Sequence, residues 1–106
     1  MKIYVKQKKI PIRKYKNPFL KALGLMGKKK IQEGIVLVRC NSIHTFFMRQ
    51  NIDVVMTDKN YKILYIYKNL KKNKIIWPKK KVYYTFEFPK GTIHDLKINA
   101  YLKTED

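Results

Sequence analysis

The residues best suited to chemistry lie in one apolar stretch, residues 40–58, with the sequence CNSIHTFFMRQNIDVVMTD. Burying ionisable groups without partners costs several kcal/mol, so a sequence that places them in an apolar run has a structural or functional reason. An arginine can donate to an anion, a histidine can donate or accept, and a carboxylate can orient either group. The candidate ligand-binding residues are His44, Thr45, Met48, Arg49 and Asp53.

The alternation of side chains along a strand decides which of these residues share a face. We expect strands at residues 44–49 and 52–57, joined at Gln50-Asn51 by a two-residue hairpin turn or a sharp bend. The hairpin would place Met48 opposite Asp53. Both strands are expected to enter the interior of the protein.

Two interpretations of this segment remain open. His44 would share the face of Asp53 while Arg49 points to the other face, and a bend at the turn would bring them together around a small polar ligand or a peptide. Alternatively, Asp53 caps the turn by accepting backbone N–H bonds, and His44 and Thr45 satisfy buried carbonyl groups. The first interpretation predicts a binding or accessory module.

Catalytic and metal-binding arrangements are incomplete in this sequence. Cys40 and His44 supply two ligands, whereas a zinc site needs three or four. Ser42 or Cys40 beside His44 does not make a catalytic triad. The single cysteine also excludes a disulfide framework. We therefore expect a protein that is not an enzyme and that holds neither a metal nor a cofactor.

Lysine-rich loops form a second candidate site. Lys and Arg number 25 against 7 Asp and Glu, a formal net charge of +18 that attracts polyanions. Trp77, with Tyr83 and Tyr84 nearby, adds the aromatic faces on which single-stranded bases stack. Solvated lysines encoded by an AT-rich genome are the alternative, although codon bias does not explain the scarcity of acidic residues. The candidate polyanion-binding residues are Lys71, Lys72, Lys74, Trp77, Lys79, Lys80 and Lys81.

The elements that position these residues are mostly strands. Asn17 and Pro18 begin a short helix that ends near Gly27, and Pro11 confines its strand to a sheet edge. About seven or eight short strands and one helix predict a single mainly β domain over residues 1–106, a β-sandwich or partly open barrel. The other expected strands are residues 2–6, 9–13, 35–39, 61–67, 75–77, 82–88 and 97–102, with a turn at 58–60 and a frayed end at 104–106.

The sequence also bears on location. Residues 1–16 alternate apolar and basic side chains and lack the apolar centre of a signal peptide. No stretch approaches the roughly 20 apolar residues that span a bilayer. We expect a cytoplasmic protein without a transmembrane segment.

Four short motifs, in order, resemble the domain of unknown function 192 family over about residues 18–102. They are Gly24-Leu25-Met26, residues 42–49 (SIHTFFMR), Ile52-Asp53-Val54-Val55 followed by Asp58, and residues 86–92 (FEFPKGT). The sequence departs from the family pattern at Phe47, where many members have tryptophan, and at Asn99-Ala100, where a Gly-Asp pair is frequent. The resemblance implies a compact, mostly β, jelly-roll-like domain and implies no established reaction.

Overall fold

The computed structural model describes residues 1–5, 8–16, 34–46, 48–93 and 95–105. These ranges contain no helix, and the helix predicted from Asn17 to Gly27 lies outside them, as does Phe47. Within these ranges no helix is long and apolar enough to cross a membrane. The strands are β1 (Lys2–Val5), β2 (Lys8–Tyr15), β3 (Gly34–Val38), β4 (Ile43–His44), β5 (Ile52–Thr57), β6 (Ile63–Leu70), β7 (Ile75–Ile76), β8 (Tyr84–Pro89) and β9 (Lys103–Glu105).

Seven of these strands form one sheet in the order β6-β5-β8-β3-β2-β1-β9, and β4 pairs with β7 in a small second sheet. The pairs in the large sheet are antiparallel except for β2 with β3. Strands β3 and β5 are buried at every position, as their largely apolar sequences predict. A strand buried on both faces needs covering layers on both sides.

The two-residue hairpin predicted at Gln50-Asn51 is wrong, although the chain does bend at Arg49-Gln50. The strand predicted at 44–49 is wrong as well, because β4 covers only Ile43–His44. Strand β4 pairs with β7, whereas β5 lies between β6 and β8. The reason is burial: an apolar strand hides its backbone best between two long strands, and β4 has only two residues. Turn-forming residues identify a bend but do not choose the partner strand.

Pro11 does not confine β2 to an edge, because β2 lies between β1 and β3. The first half of β2 pairs with β1, where Pro11 lies opposite Lys2. The second half pairs with β3, beginning with Ile12 opposite Gly34. Pro11 lies at the change of partner, so the N–H that proline lacks is not required by the β3 ladder.

The C-terminal segment curls the sheet. Ile63 N–H donates to the Ala100 carbonyl at 2.8 Å, and Leu102 N–H donates to the Tyr61 carbonyl at 3.0 Å. The chain then pairs with β1 through β9, so one segment contacts strands near both edges of the sheet. The strand predicted at 97–102 is therefore wrong, since the strand begins at Lys103. Thr104 and Glu105, predicted to be frayed, belong to β9, and Asp106 lies outside the described residues.

The result is a curled half-barrel sheet, which confirms the mainly β class without confirming a sandwich or a jelly roll. Two apolar layers cover its faces. One layer includes Val36, Val55 and Phe86, and the other includes Ile35 and Val54. Neighbouring residues of one strand thus enter opposite layers, as the pleat requires.

Replacing Gly34 by alanine tests the packing between these strands. A Cβ atom at this position would lie 2.7 Å from Ile12 Cδ1 and 2.8 Å from a ring carbon of buried Phe88. Overpacking of this kind lowers the free energy of unfolding by about 1–3 kcal/mol, which urea unfolding measures. Adding Ile12→Val, which removes the Cδ1 atom, should recover part of the loss. A Gly34→Ala protein as stable as the wild type would contradict this packing.

Candidate functional site

Asp53 is buried in β5 and its carboxylate bonds to backbone amides. Oδ1 accepts from Asn69 N–H at 2.8 Å, and Oδ2 accepts from Thr92 N–H at 3.0 Å and Ile93 N–H at 3.3 Å. The side chain is only 2% exposed. These amides belong to β6 and to the turn after β8, so Asp53 joins three parts of the chain instead of capping a local hairpin.

Thr45 is also buried and holds the loop between β6 and β7. Its hydroxyl donates to the Lys71 carbonyl at 2.8 Å and accepts from Lys74 N–H at 2.8 Å. Its backbone N–H donates to the Lys74 carbonyl at 2.8 Å, and its carbonyl accepts from Asn73 N–H at 3.1 Å. Thr45 therefore fixes the path of residues 71–74.

The other candidate ligand-binding residues lie in different surroundings. His44 is exposed and stacks on Phe46 at a ring-centre distance of 5.1 Å. Met48 is buried in the apolar layer that includes Ile35 and Val54, and Arg49 is exposed. Thr45, Met48 and Asp53 are buried whereas His44 and Arg49 are exposed, so the five residues do not share one environment. Ligand binding by this set remains a prediction.

The structure does gather lysine-rich loop residues, in a groove of about 570 Å³ along β6 and β7, which we call the β6–β7 groove. Lys71, Lys74, Trp77 and Lys79 all line it. The predicted residues Lys72, Lys80 and Lys81 are exposed but do not line the groove. Four of the seven predicted polyanion-binding residues thus share one surface, an arrangement that the loop sequence alone did not specify.

The groove combines positive charge with exposed aromatic surface. Lys68 of β6 adds a further cation, and none of the described lining residues is acidic. Trp77 is 68% exposed, and the Lys79 ammonium lies 5.4 Å from the centre of the Tyr65 ring. Such a surface suits an anion that carries flat apolar groups.

The buried residues Asp53 and Thr45 fix the backbone at two bends beside this groove. Asn69, which lines it, has the left-handed φ of 53° and donates its N–H to Asp53. Asn73, also left-handed at φ 62°, donates its N–H to the Thr45 carbonyl. Asparagine tolerates this backbone conformation better than most residues, so the two bends fit their sequence.

Glu87 is a buried titratable residue that the sequence analysis did not single out as a site. It lies in β8 between Ile35 of β3 and Val54 of β5, both apolar. Burial raises the pKa of the Glu87 carboxyl from 4.5 to about 7. The available signal was an acidic residue between two phenylalanines in the strand Tyr84–Pro89, a pattern noted only as part of the family resemblance.

Comparison with known proteins places this geometry among uncharacterised relatives. The family model for domain of unknown function 192 (DUF192, Uncharacterized ACR) matches residues 1–103. UPF0127 protein TK1120 of Thermococcus kodakarensis is 37% identical over 92 residues, covering 80% of this chain and 58% of that protein. UPF0127 protein PH1112 of Pyrococcus horikoshii is 37% identical over 82 residues, covering 73% of this chain and 70% of that protein. The match thus spans less than two thirds of the Thermococcus protein.

Two crystal structures share the fold. A protein of unknown function from Novosphingobium aromaticivorans superposes with a TM-score of 0.72 at 12% identity, covering 85% of this chain and 71% of the other. A protein of Sinorhizobium meliloti (R01717), named as a candidate transcription regulator, superposes with a TM-score of 0.77 at 15% identity, covering 96% and 88%. At these identities the likeness concerns the fold alone.

The buried carboxylate of Asp53 should be a strong determinant of stability. Asp53→Ala removes the buried carboxylate that accepts hydrogen bonds from three backbone N–H groups. We expect a loss of about 3–5 kcal/mol in the free energy of unfolding, measured with urea. The exposed-site controls His44→Ala and Arg49→Ala should each change it by less than about 0.5 kcal/mol. Equal losses for all three variants would contradict the structural role of Asp53.

Glu87 should make stability depend on pH. Its pKa is about 7 in the folded protein against the ordinary 4.5, so the folded state binds the proton more tightly. The stabilisation that protonated Glu87 provides is complete below a pH of 4.5 and is lost as the pH rises through about 7. The total loss in the free energy of unfolding is roughly 3 kcal/mol.

The variant Glu87→Gln isolates this effect because every other titrating group is unchanged. Urea unfolding at about pH 5 and about pH 8 should show that the wild type loses more stability than the variant. Identical pH profiles for the two proteins would mean that the Glu87 pKa is not raised.

Proposed function

The chain belongs to the domain of unknown function 192 family, and we propose that it binds single-stranded nucleic acid in the β6–β7 groove. The observation that carries this proposal is the exposed Trp77 in a groove whose described lining holds four lysines and no acidic residue. Lysines neutralise phosphates, and an aromatic face stacks on bases, so the two chemistries match the two parts of a nucleotide.

The positive charge supports attraction of a polyanion at long range. The formal net charge is +18, and the groove concentrates part of it on one face. Each lysine that meets a phosphate releases counterions, which makes the affinity fall as the salt concentration rises. The described lining contains no arginine, the residue that most often reads bases through two hydrogen bonds. Binding should therefore depend little on base sequence.

The aromatic surface favours single strands over duplexes and over anionic membranes. Trp77 is 68% exposed, and Ile75 beside it is 44% exposed. Bases in a single strand present their faces to such a side chain, whereas bases in a duplex are stacked on one another. A groove lined by residues of β6 and β7 also suits an extended chain better than it suits a flat lipid surface.

Binding of a small polar ligand by His44, Thr45, Met48, Arg49 and Asp53 has less support from these contacts. Asp53 and Thr45 use their side-chain oxygens to hold the backbone around the groove. We infer that these two residues are positioning residues for the groove, which agrees with the structural interpretation of polar groups in the apolar run.

Trp77 offers a direct measurement because it is the only tryptophan of the chain. Its fluorescence should be quenched by a single-stranded oligonucleotide of about 10 nucleotides at low salt. Trp77→Ala should weaken binding of a labelled oligonucleotide by about tenfold or more, and Trp77→Phe should retain most of the affinity. Inorganic polyphosphate, which has charge but no bases, should compete weakly and leave the fluorescence unchanged.

Two triple variants with the same charge loss separate the groove from general attraction. Replacing Lys71, Lys74 and Lys79 by glutamine should reduce the slope of log affinity against log salt by roughly 2, at about 0.7 per phosphate contact. The control replaces Lys72, Lys80 and Lys81, which are exposed but lie outside the groove lining. Equal effects of the two triples, or tighter binding to anionic lipid vesicles than to the oligonucleotide, would contradict the proposal.

A further inference from the structure

We propose that a second cavity, separate from the β6–β7 groove and independent of its function, binds the phosphate group of a phosphomonoester. This cavity has a volume of about 280 Å³ and is lined by Lys14, Lys16, Val38, Arg39, Tyr83 and Tyr84. We call it the Arg39 cavity. It lies where β2 and β3 end and β8 begins, so residues far apart in sequence meet there.

Arg39 lines this cavity, and its backbone is held in an unusual conformation. Its φ is 56°, in the left-handed region that non-glycine residues seldom adopt. The backbone of the next residue, Cys40, is held at both its N–H and its carbonyl. Cys40 N–H donates to the Tyr83 carbonyl at 3.1 Å, and Thr85 Oγ1 of β8 donates to the Cys40 carbonyl at 2.8 Å. Backbone strain that is fixed in this way is frequent at ligand-binding sites.

The Arg39 side chain is oriented for an anion. Its Nε–H donates to the Tyr83 hydroxyl at 3.2 Å. This bond leaves the terminal amino groups of the guanidinium for the paired contact that phosphate oxygens accept. The Tyr83 hydroxyl therefore acts as a positioning group for Arg39.

The surroundings of Arg39 are positively charged. Lys14 and Lys16 also line the cavity, whose described lining includes no acidic residue, and the Lys59 ammonium lies 5.6 Å from the centre of the Tyr83 ring. The pKa of the Tyr83 hydroxyl is lowered, mainly by the hydrogen bond from Arg39 and further by the charges of Arg39, Lys59 and Lys16. A phosphomonoester carries nearly two negative charges at neutral pH, so it gains more from this field than a carboxylate does.

A wall of tyrosine rings gives the cavity a rigid apolar side. Tyr83 meets Tyr84 edge to face at a ring-centre distance of 4.7 Å, and Tyr84 stacks on Tyr61 at 4.7 Å. Paired aromatic rings of this kind keep their positions and offer surface to the organic part of a ligand. The shared chemistry is the phosphate group, which free phosphate and a nucleoside monophosphate both supply.

Calorimetric titration at low ionic strength tests the proposal with three probes: inorganic phosphate, adenosine 5′-monophosphate and adenosine. We expect both phosphate compounds to bind and adenosine not to bind. Tighter binding of the nucleotide that Trp77→Ala leaves unchanged would assign a role to the tyrosine wall, whereas equal binding of the two compounds would mean that the phosphate group alone is recognised. No heat from either phosphate compound would overturn the proposal.

Variants of Arg39 supply the matched comparison. Arg39→Asn removes the charge but tolerates a left-handed backbone, so it should fold and bind phosphate about tenfold or more weakly. Arg39→Lys keeps the charge without the planar fork and should lose about threefold to tenfold. Lys80→Gln, an exposed control outside the lining, should bind like the wild type.

If Arg39→Asn does not fold, Tyr83→Phe gives the same test through the positioning group. This change removes the acceptor of the Arg39 Nε–H bond and keeps the ring, so phosphate binding should weaken by a few fold. Wild-type phosphate binding in the Arg39 and Tyr83 variants, or an equal loss in Lys80→Gln, would overturn the proposal. Oligonucleotide binding in the groove is measured separately through Trp77, so the two proposals fail independently.

Discussion

One carboxylate in the buried strand β5 constrains the positions of two other segments. Asp53 would cost several kcal/mol if it were buried alone, and it avoids this cost by accepting N–H bonds from Asn69, Thr92 and Ile93. The first of these lies in β6 and the other two follow β8, so the strands on both sides of β5 end at defined positions. The bond from the Ile93 amide is buried, so this amide cannot exchange its acceptor for water without local opening of the structure.

Thr45 likewise fixes the loop after β6 through hydrogen bonds to backbone groups. Its hydroxyl and its backbone together make hydrogen bonds to Lys71, Asn73 and Lys74. The β6–β7 groove is therefore bounded by bends whose backbone is fixed from the interior, while its cationic side chains remain at the surface. A groove prepared in this way loses less conformational entropy on binding than a mobile loop would.

Two buried carboxyl groups on neighbouring strands show how the surroundings decide the chemistry. Asp53 faces backbone donors, whereas Glu87 lies between Ile35 and Val54, and burial raises the Glu87 pKa to about 7. The cationic surface residues also lie in two different surroundings. The groove joins lysines to an exposed tryptophan, whereas Arg39 is bound to a tyrosine in a smaller cavity. The two cationic surfaces for which we propose anion binding thus differ in the residues that line them.

The sequence by itself determined the mainly β class, the family, the burial of β3 and β5, and the presence of cationic and aromatic residues after β6. These follow from local alternation, apolar runs and short motifs, which are properties of neighbouring residues. Only the tertiary structure decided that β5 pairs with β6 and β8, that residues 99–105 curl the sheet, and that Arg39 meets Tyr83. The reason is that pairing and convergence depend on which distant strands bury one another best, and no local pattern encodes that choice.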